Sequence, residues 1–305
     1  MADRSPFRLG VDLGGTKIEI IALDASGEVR LRHRVDTPKG EYTATLEVIA
    51  GLVTDAEQRL GCNSSLGICT PGAVSPATGL LKNSNSVCLN GKPLLQDLQQ
   101  RLQRDIRIAN DADCFALSEA TDGCAAGAAS VFGVIVGTGT GGGLVINGKL
   151  LAGPNAIAGE WGHNPLPWAK DSELPGPDCY CGNSGCIETW LSGPGMERDY
   201  QQAAGRSLPS AIIAEQDKQG DGAASACLDR YIGRMARALA SVINVVDPEV
   251  IVLGGGVSNI DRLYLDVPGQ WGRYVFSDRV DTRLVKPLFG DSSGVRGAAW
   301  LWQEK

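Results

Sequence analysis

Apolar positions along the chain fall into short runs that end on glycine, separated by stretches with a helical period. FRLGVDLGG, IEIIAL and the alternating VRLRHRV predict three strands in a meander over residues 7–37. Leu46 to Leu60 repeats its apolar residues at helical spacing, and SLGICTPG reads as a short buried strand running into a Pro-Gly turn. PLLQDLQQRL is helical, IRIA is a strand ending at Asn110, and Asp111 to Ala126 reads as a helix. The outline then repeats. SVFGVIV is a strand, a glycine-rich turn follows, and GLVINGKLLAG reads as the returning strand. Residues 150–190 carry no clear period. Beyond them, Ala223 to Val246 is helical, PEVIVLGGG is a strand, NIDRLYL starts a helix, and SGVRGAAWLW reads as a terminal helix packing by its apolar face.

Both halves open with a strand, a glycine turn and a returning strand, FRLGVDLGGTKIEII and SVFGVIVGTGTGGGLVI. This predicts a duplicated βββαβα unit with a central cleft. The 305 residues, 43% hydrophobic and 21% charged, suffice for a sizeable core. The N-terminus lacks an apolar signal region, and no run approaches the roughly 18 apolar residues of a membrane helix, so a cytoplasmic location is expected. A formal charge of −7 without a Lys/Arg cluster argues against nucleic acid and anionic membrane as partners. Of nine cysteines, Cys62, Cys69, Cys88, Cys114, Cys124 and Cys227 are scattered and read as small buried hydrophobes. The other three crowd into CYCGNSGCIE.

The glycine turns suggest phosphate binding. In DLGGTK, Gly14 and Gly15 let backbone N–H groups approach a phosphate closely, Thr16 adds a hydroxyl, Lys17 a charge, and Asp12 a place for Mg²⁺ or a metal-bound water. An ordinary Gly-Gly hairpin has the same sequence. Residues 137–143 satisfy G-x-G-x-x-G, yet LVINGKL follows where a dinucleotide fold needs a helix, and no Walker A run exists. Gly254, Gly255 and Gly256 follow a strand, where a flat adenosine could lie; a plain strand-to-helix loop is the alternative. The set of turns fits an actin-like nucleotide cleft. Asn110 and Asp111 stand where a strand gives way to a helix. Asp111 reads either as a helix-start residue or as the acceptor of a hydroxyl proton in phosphoryl transfer.

DLGGTK, GICTPG, NDADCFALSE, GTGTGGG, GEWGHNP, CYCGNSGCIE and VLGGGVS occur in this order over nearly the whole chain. Together they resemble the ROK family (repressors, open reading frames, kinases) of bacterial sugar kinases. The resemblance implies an α/β, two-domain actin-like ATPase (ribonuclease H-like) fold. Residues 1–112 with a C-terminal helix near 294–305 would form the small domain, and 113–293 the larger one with a zinc-binding segment. It implies Asp111 as catalytic base, Asn110, Glu160, His163 and Glu188 as sugar contacts, and Gly72 as the turn beneath the sugar. ATP with Mg²⁺ would meet Asp12, Gly14, Gly15, Thr16, Lys17, Gly137, Thr138 and Gly139, with Gly254 to Gly256 beside the adenosine. A homodimer is also implied.

Within the family, KNSNSVCLNG, GEWGHNPLPW and GDSSGVRGAAWLW look most like bacterial fructokinase, which implies ATP-dependent conversion of D-fructose to fructose 6-phosphate. N-acetylglucosamine kinase and glucokinase are the alternatives; Trp161 and Asn164 lean away from the first. Trp161, Asn164 and residues 83–90 are expected to choose the sugar. A sugar-responsive repressor is the reading from another class, but only 11 residues precede Asp12, too few for a helix-turn-helix.

The clustered thiols need a fourth ligand for tetrahedral zinc. Only two histidines exist. His33 sits in the charged strand RLRHRV and reads as a surface residue, so His163 is expected to join Cys179, Cys181 and Cys186 in the Cys₃His pattern that the family also shows. Three reduced thiols are the alternative. One ring nitrogen of His163 would bind zinc while the other meets a sugar hydroxyl.

Overall fold

The computed structural model describes residues 6–302. Residues 1–5 and 303–305, which the expected small domain includes, lie outside the described residues. The first half runs β1 (Arg8–Leu13), β2 (Lys17–Leu23), β3 (Val29–Asp36), α1 (Tyr42–Leu60) and β4 (Ser65–Thr70). A two-residue pair, β5 (Ala73–Val74) and β6 (Leu81–Lys82), precedes α2 (Leu94–Leu102), β7 (Arg107–Asn110) and α3 (Asp111–Thr121). The second half opens with β8 (Ser130–Val136), β9 (Thr140–Ile146) and β10 (Lys149–Leu150). After the irregular region come α4 (Ile187–Leu191), α5 (Gly193–Ala204), α6 (Ser210–Lys218), α7 (Gly222–Val246) and β11 (Val250–Gly254). Then α8 (Arg262–Asp266), α9 (Pro268–Trp271), β12 (Arg283–Val285) and α10 (Ser293–Trp300) complete the described chain.

The two large sheets repeat one another strand for strand. Their orders are β3-β2-β1-β4-β7 and β10-β9-β8-β11-β12. In each, a meander supplies antiparallel pairs, and the last two strands join in parallel through helical crossovers. The duplication expected from the paired openings is therefore present. Each half hands its last helix to the other: α3 leaves β7 but packs on β8 and β9, while α10 leaves β12 but packs on β1 and β4. The two helices also pack on each other. Glycines allow the close approach: a Cβ on Gly297 would overlap the Cys114 carbonyl, and one on Gly67 would overlap the Ala298 carbonyl. Because β7 ends where α3 begins, this crossing sets Asp111 between the sheets.

The larger apolar clusters lie one under each sheet and a third between them, where Ile21, Phe115, Val131, Val252, Val295 and Trp300 meet. Glu119, fully buried, ties this junction together. Its carboxylate accepts from the Leu288 N–H (2.9 Å), the Phe289 N–H (3.2 Å), the Ser293 hydroxyl (2.7 Å) and the Cys124 N–H (3.1 Å). In Glu119→Gln one oxygen becomes an NH₂ group that faces donors whichever way the amide turns. The expected loss, read by denaturant unfolding, is about 1–3 kcal/mol.

Several expectations change in detail. The helix begun at Asp111 ends at Thr121 rather than Ala126, because Asp122-Gly123 folds back over Glu119. The second glycine run is shorter as a turn than as a sequence, since β9 already begins at Thr140. Cys69, Cys114 and Cys227 are buried as expected, whereas Cys62, Cys88 and Cys124 are only partly covered. The irregular segment before α4 is fixed by charge. Burial opposes ionisation of Glu173, but Arg237 and Arg234 of α7 hold its carboxyl down at about 2.

Candidate active site and metal centre

Asn110 caps α3: its side-chain oxygen accepts from the Asp113 N–H at 2.6 Å, which leaves its amide hydrogens free to serve as donors. Asp111 accepts from the Ala112 N–H at 2.8 Å. Its carboxyl is open to water at the cleft, yet the chain crowding round it raises its pKa, against the pull of the local backbone N–H groups. Asp12, at the end of β1, is pushed up to about 6 by burial; the Cys69 thiol opposes this, and the charge of Asp111 adds to it. The crossing thus gathers Asp12 and Asp111 into one strongly negative corner, which suits a cation or a proton in transit.

Asp113 belongs to the same corner and was not expected. Burial, and then the charges of Glu160 and Asp111, push it up to about 7. Its Oδ1 is buried without a hydrogen-bond partner. The repeated acid in NDAD, two residues apart in a first helical turn, was the available signal. The protonated form stabilises the fold fully below the ordinary value of 3.8, an advantage lost as pH rises through about 7. Asp113→Asn is therefore expected to raise Tm at about pH 8, with the gain shrinking to nothing near pH 4. Thermal melts at both pH values check this.

On the sugar side, Gly72 turns with φ +81° against the backbone of Lys82 to Ser84, where a Cβ would collide. The loop beyond is clamped by Asn90, which accepts from the Ser84 N–H (2.9 Å) and donates to the Ser84 carbonyl (2.8 Å). Ser86 of that loop approaches Gly15 of the first phosphate turn. Across the cleft, Glu160 is open to water, yet crowding by the surrounding chain and the charge of Asp111 raise its pKa while His163 lowers it. Trp161 departs from expectation. It is 5% exposed, donates from Nε1 to the Gly141 carbonyl (3.1 Å) and packs edge-on against Phe132. It is a core residue and cannot choose the sugar directly. Asn164 is exposed.

Not every backbone donor of the glycine turns is free. Gly14 N–H is spent on the Lys17 carbonyl (3.0 Å), so Gly15, Thr16 and Lys17, all exposed, form the open part of the first turn. In the second, Gly137 N–H is spent on the Gly139 carbonyl (2.9 Å), and Thr140 N–H donates to Glu188 Oε2 (2.9 Å). Thr138 is exposed. Gly255, at φ +81°, lies against the Val136 carbonyl where a Cβ would overlap, so the third turn abuts the second; nothing lies within 4 Å of a Cβ on Gly256. A cavity of about 450 Å³ is lined by Ala214, Lys218, Ile260 and Arg262, on the chain just beyond this turn.

His163, Cys179, Cys181 and Cys186 come together with their ligand atoms all within 4.8 Å of one another. Cys179 Sγ is 3.5 Å from His163 Nδ1, and Cys181 Sγ is 3.7 Å from Cys186 Sγ. For a tetrahedral zinc with Zn–S about 2.3 Å and Zn–N about 2.05 Å, those edges are about 3.6 and about 3.8 Å. The donor set fits. His33, by contrast, is exposed on β3. The Nε2 edge of His163 was expected to stand ready for a sugar hydroxyl; instead it lies 2.9 Å from the Tyr180 hydroxyl. Crowding by the surrounding chain, and then the charge of Glu188, push that hydroxyl up to about 12, so it stays neutral. Tyr180 lay hidden in the sequence between two cysteines that drew all the chemistry.

Residues 8–305 match the ROK family. The chain belongs to the ROK family. Among curated ROK relatives, the N-acetyl-D-glucosamine kinase of Pasteurella multocida (strain Pm70) is 41% identical over 304 residues, covering 98% of this chain and 100% of that protein. A ROK hexokinase from Thermus thermophilus superposes with a TM-score of 0.86 at 31% identity, covering 96% of this chain and 97% of its own. A ROK family glucokinase from Streptomyces griseus, in complex with glucose and AMPPNP, gives a TM-score of 0.76 at 26% identity over 97% and 98% of the two chains. The class is therefore that of the ROK sugar kinases, with the actin-like fold expected from the motifs. The fructokinase expectation gains no support from these relatives. Among the described residues, no helix is long and apolar enough to cross a membrane.

Proposed function

We propose that the protein is an ATP-dependent N-acetyl-D-glucosamine kinase. The observation that carries the sugar is the near-full-length 41% identity to the Pasteurella kinase of that name. Asp111 takes the proton of the sugar's primary hydroxyl, and its raised pKa makes it a better base than an ordinary carboxylate. Asn110 donates its free amide hydrogens to the sugar, with Glu160, His163 and Glu188 opposite and Gly72 beneath. The phosphates lie between Gly15 to Lys17 and Gly137 to Gly139, and the adenosine borders Gly254 to Gly256. Mg²⁺ carried in with ATP would offset the phosphate charge, with Asp12 holding it directly or through water.

A structural zinc at His163, Cys179, Cys181 and Cys186 belongs to the same reading; the matching tetrahedral edges support it. The small unit would comprise residues 1–112 and the C-terminal helix, since α10 packs on β1 and β4, and the large unit residues 113–293. The enzyme would act in the cytoplasm as a homodimer, which light scattering checks. The test of the activity is ADP release from Mg-ATP with and without N-acetyl-D-glucosamine. A strong dependence on the sugar is expected; equal rates would defeat the reading.

A further inference from the structure

The ring of His163 has two partners. Nδ1 faces Cys179 within the metal cluster, and Nε2 lies 2.9 Å from the Tyr180 hydroxyl, the two rings meeting edge to face with centroids 5.0 Å apart. Tyr180 sits at the tip of a tight turn: Gly182 N–H donates to the Cys179 carbonyl at 3.0 Å, and Cys179 N–H to the Asn183 carbonyl at 2.8 Å. Its backbone is therefore held in the turn by these two hydrogen bonds of Cys179. Its side chain is not. At 81% exposed, Tyr180 is held chiefly by His163. A buried tyrosine would be part of the wall, but an exposed one with a single polar anchor among the described residues can swing away at low cost.

We infer that Tyr180 competes with the sugar for His163: its hydroxyl occupies the Nε2 edge of His163 in the free protein, and the sugar hydroxyl must displace it. The inference rests on the proposed function, in which His163 meets the sugar. With Nδ1 turned to the cluster, the ring carries its proton on Nε2, so Tyr180 oxygen accepts and competes with a sugar oxygen for one donor. A sugar that places a well-aimed oxygen there recovers the lost bond. One that lacks it leaves Tyr180 in place. Tyr180 thereby lowers affinity for a sugar that makes this contact by about the worth of one hydrogen bond, and leaves affinity for one that does not unchanged.

Tyr180→Phe keeps the ring and removes the competitor; Tyr180→Ala removes both and covers the case in which the phenyl ring repacks. Both are expected to lower KM for N-acetyl-D-glucosamine about fivefold, the worth of one ordinary hydrogen bond, with kcat nearly unchanged. Imidazole nitrogen NMR reads the contact itself, because the chain has only two histidines. The His163 Nε2 signal is expected to differ between wild type and Tyr180→Phe in the free proteins, and to coincide once the sugar saturates both. A raised KM in the variants, or a difference that persists in the sugar complexes, would overturn the inference, since Tyr180 would then stay on His163 beside the sugar. If neither protein responds to any hexose, the kinase reading fails. The free-state spectra still judge Tyr180: an Nε2 signal unmoved by Tyr180→Phe would overturn the contact on its own.

Discussion

Asp111→Asn is expected to lower kcat with N-acetyl-D-glucosamine by about 10²–10⁴-fold, the usual worth of a general base. The substitution is isosteric, and the remaining amide oxygen still accepts from the Ala112 N–H that Asp111 now holds at 2.8 Å. The start of α3 therefore keeps its shape, and sugar affinity measured by calorimetry is expected to change little. Removing the charge also relieves the crowding that raises Asp111 and adds to the raised values of Asp12 and Asp113. The variant is thus expected to melt no lower than wild type at neutral pH. A turnover within a few-fold of wild type would mean that another group takes the proton, and Asp113, whose carboxyl is pushed up to about 7, would be the next to examine.

The second large effect concerns the metal cluster. Cys186→Ser places a hydroxyl where a 1% exposed thiol now stands, and a hydroxyl is a far weaker zinc ligand. Tag-free protein is expected to carry about one zinc per chain and the variant very little. KM for the sugar is expected to rise about 10–100-fold, because His163 and α4 lose their anchor. The phosphate turn feels the same loss: Glu188 of α4 accepts from Thr140 N–H at 2.9 Å, and the Gly193 N–H reaches the Gly137 carbonyl at 2.7 Å. Apparent affinity for ATP should therefore weaken as well. Full zinc loss on chelation with unchanged kinetics and an unchanged melt would show that the cluster does not support the site.

The strands and glycine turns were legible because their signals are local. A two-residue period, a glycine pair and an Asn-Gly hairpin each act within a few residues, and β1, β2, β8 and β9 lie where those signals put them. The Cys₃His set was legible because the chain offers so few histidines. What stayed hidden depends on distant partners. Gly193-Pro194-Gly195 opens α5 although none of the three favours a helix interior: Ser192 caps Gly195 N–H at 3.2 Å and Pro194 fits the first turn of α5, which packs under α7. Trp161 looks like a sugar-facing aromatic in GEWGH, and only the neighbouring Phe132 and Gly141 reveal it as core. Asp113 and Tyr180 gain their chemistry from Glu160, Asp111 and His163, which no spacing in the chain announces. For the same reason Trp161, being core, carries no direct information on the choice of hexose.

The central claim is that this ROK kinase acts on N-acetyl-D-glucosamine. The most direct measurement is kcat/KM for N-acetyl-D-glucosamine, fructose, mannose and glucose under one set of conditions with saturating Mg-ATP. The account predicts the highest value for N-acetyl-D-glucosamine, by about tenfold or more, the step that one well-placed polar contact provides. A higher value for fructose would contradict it.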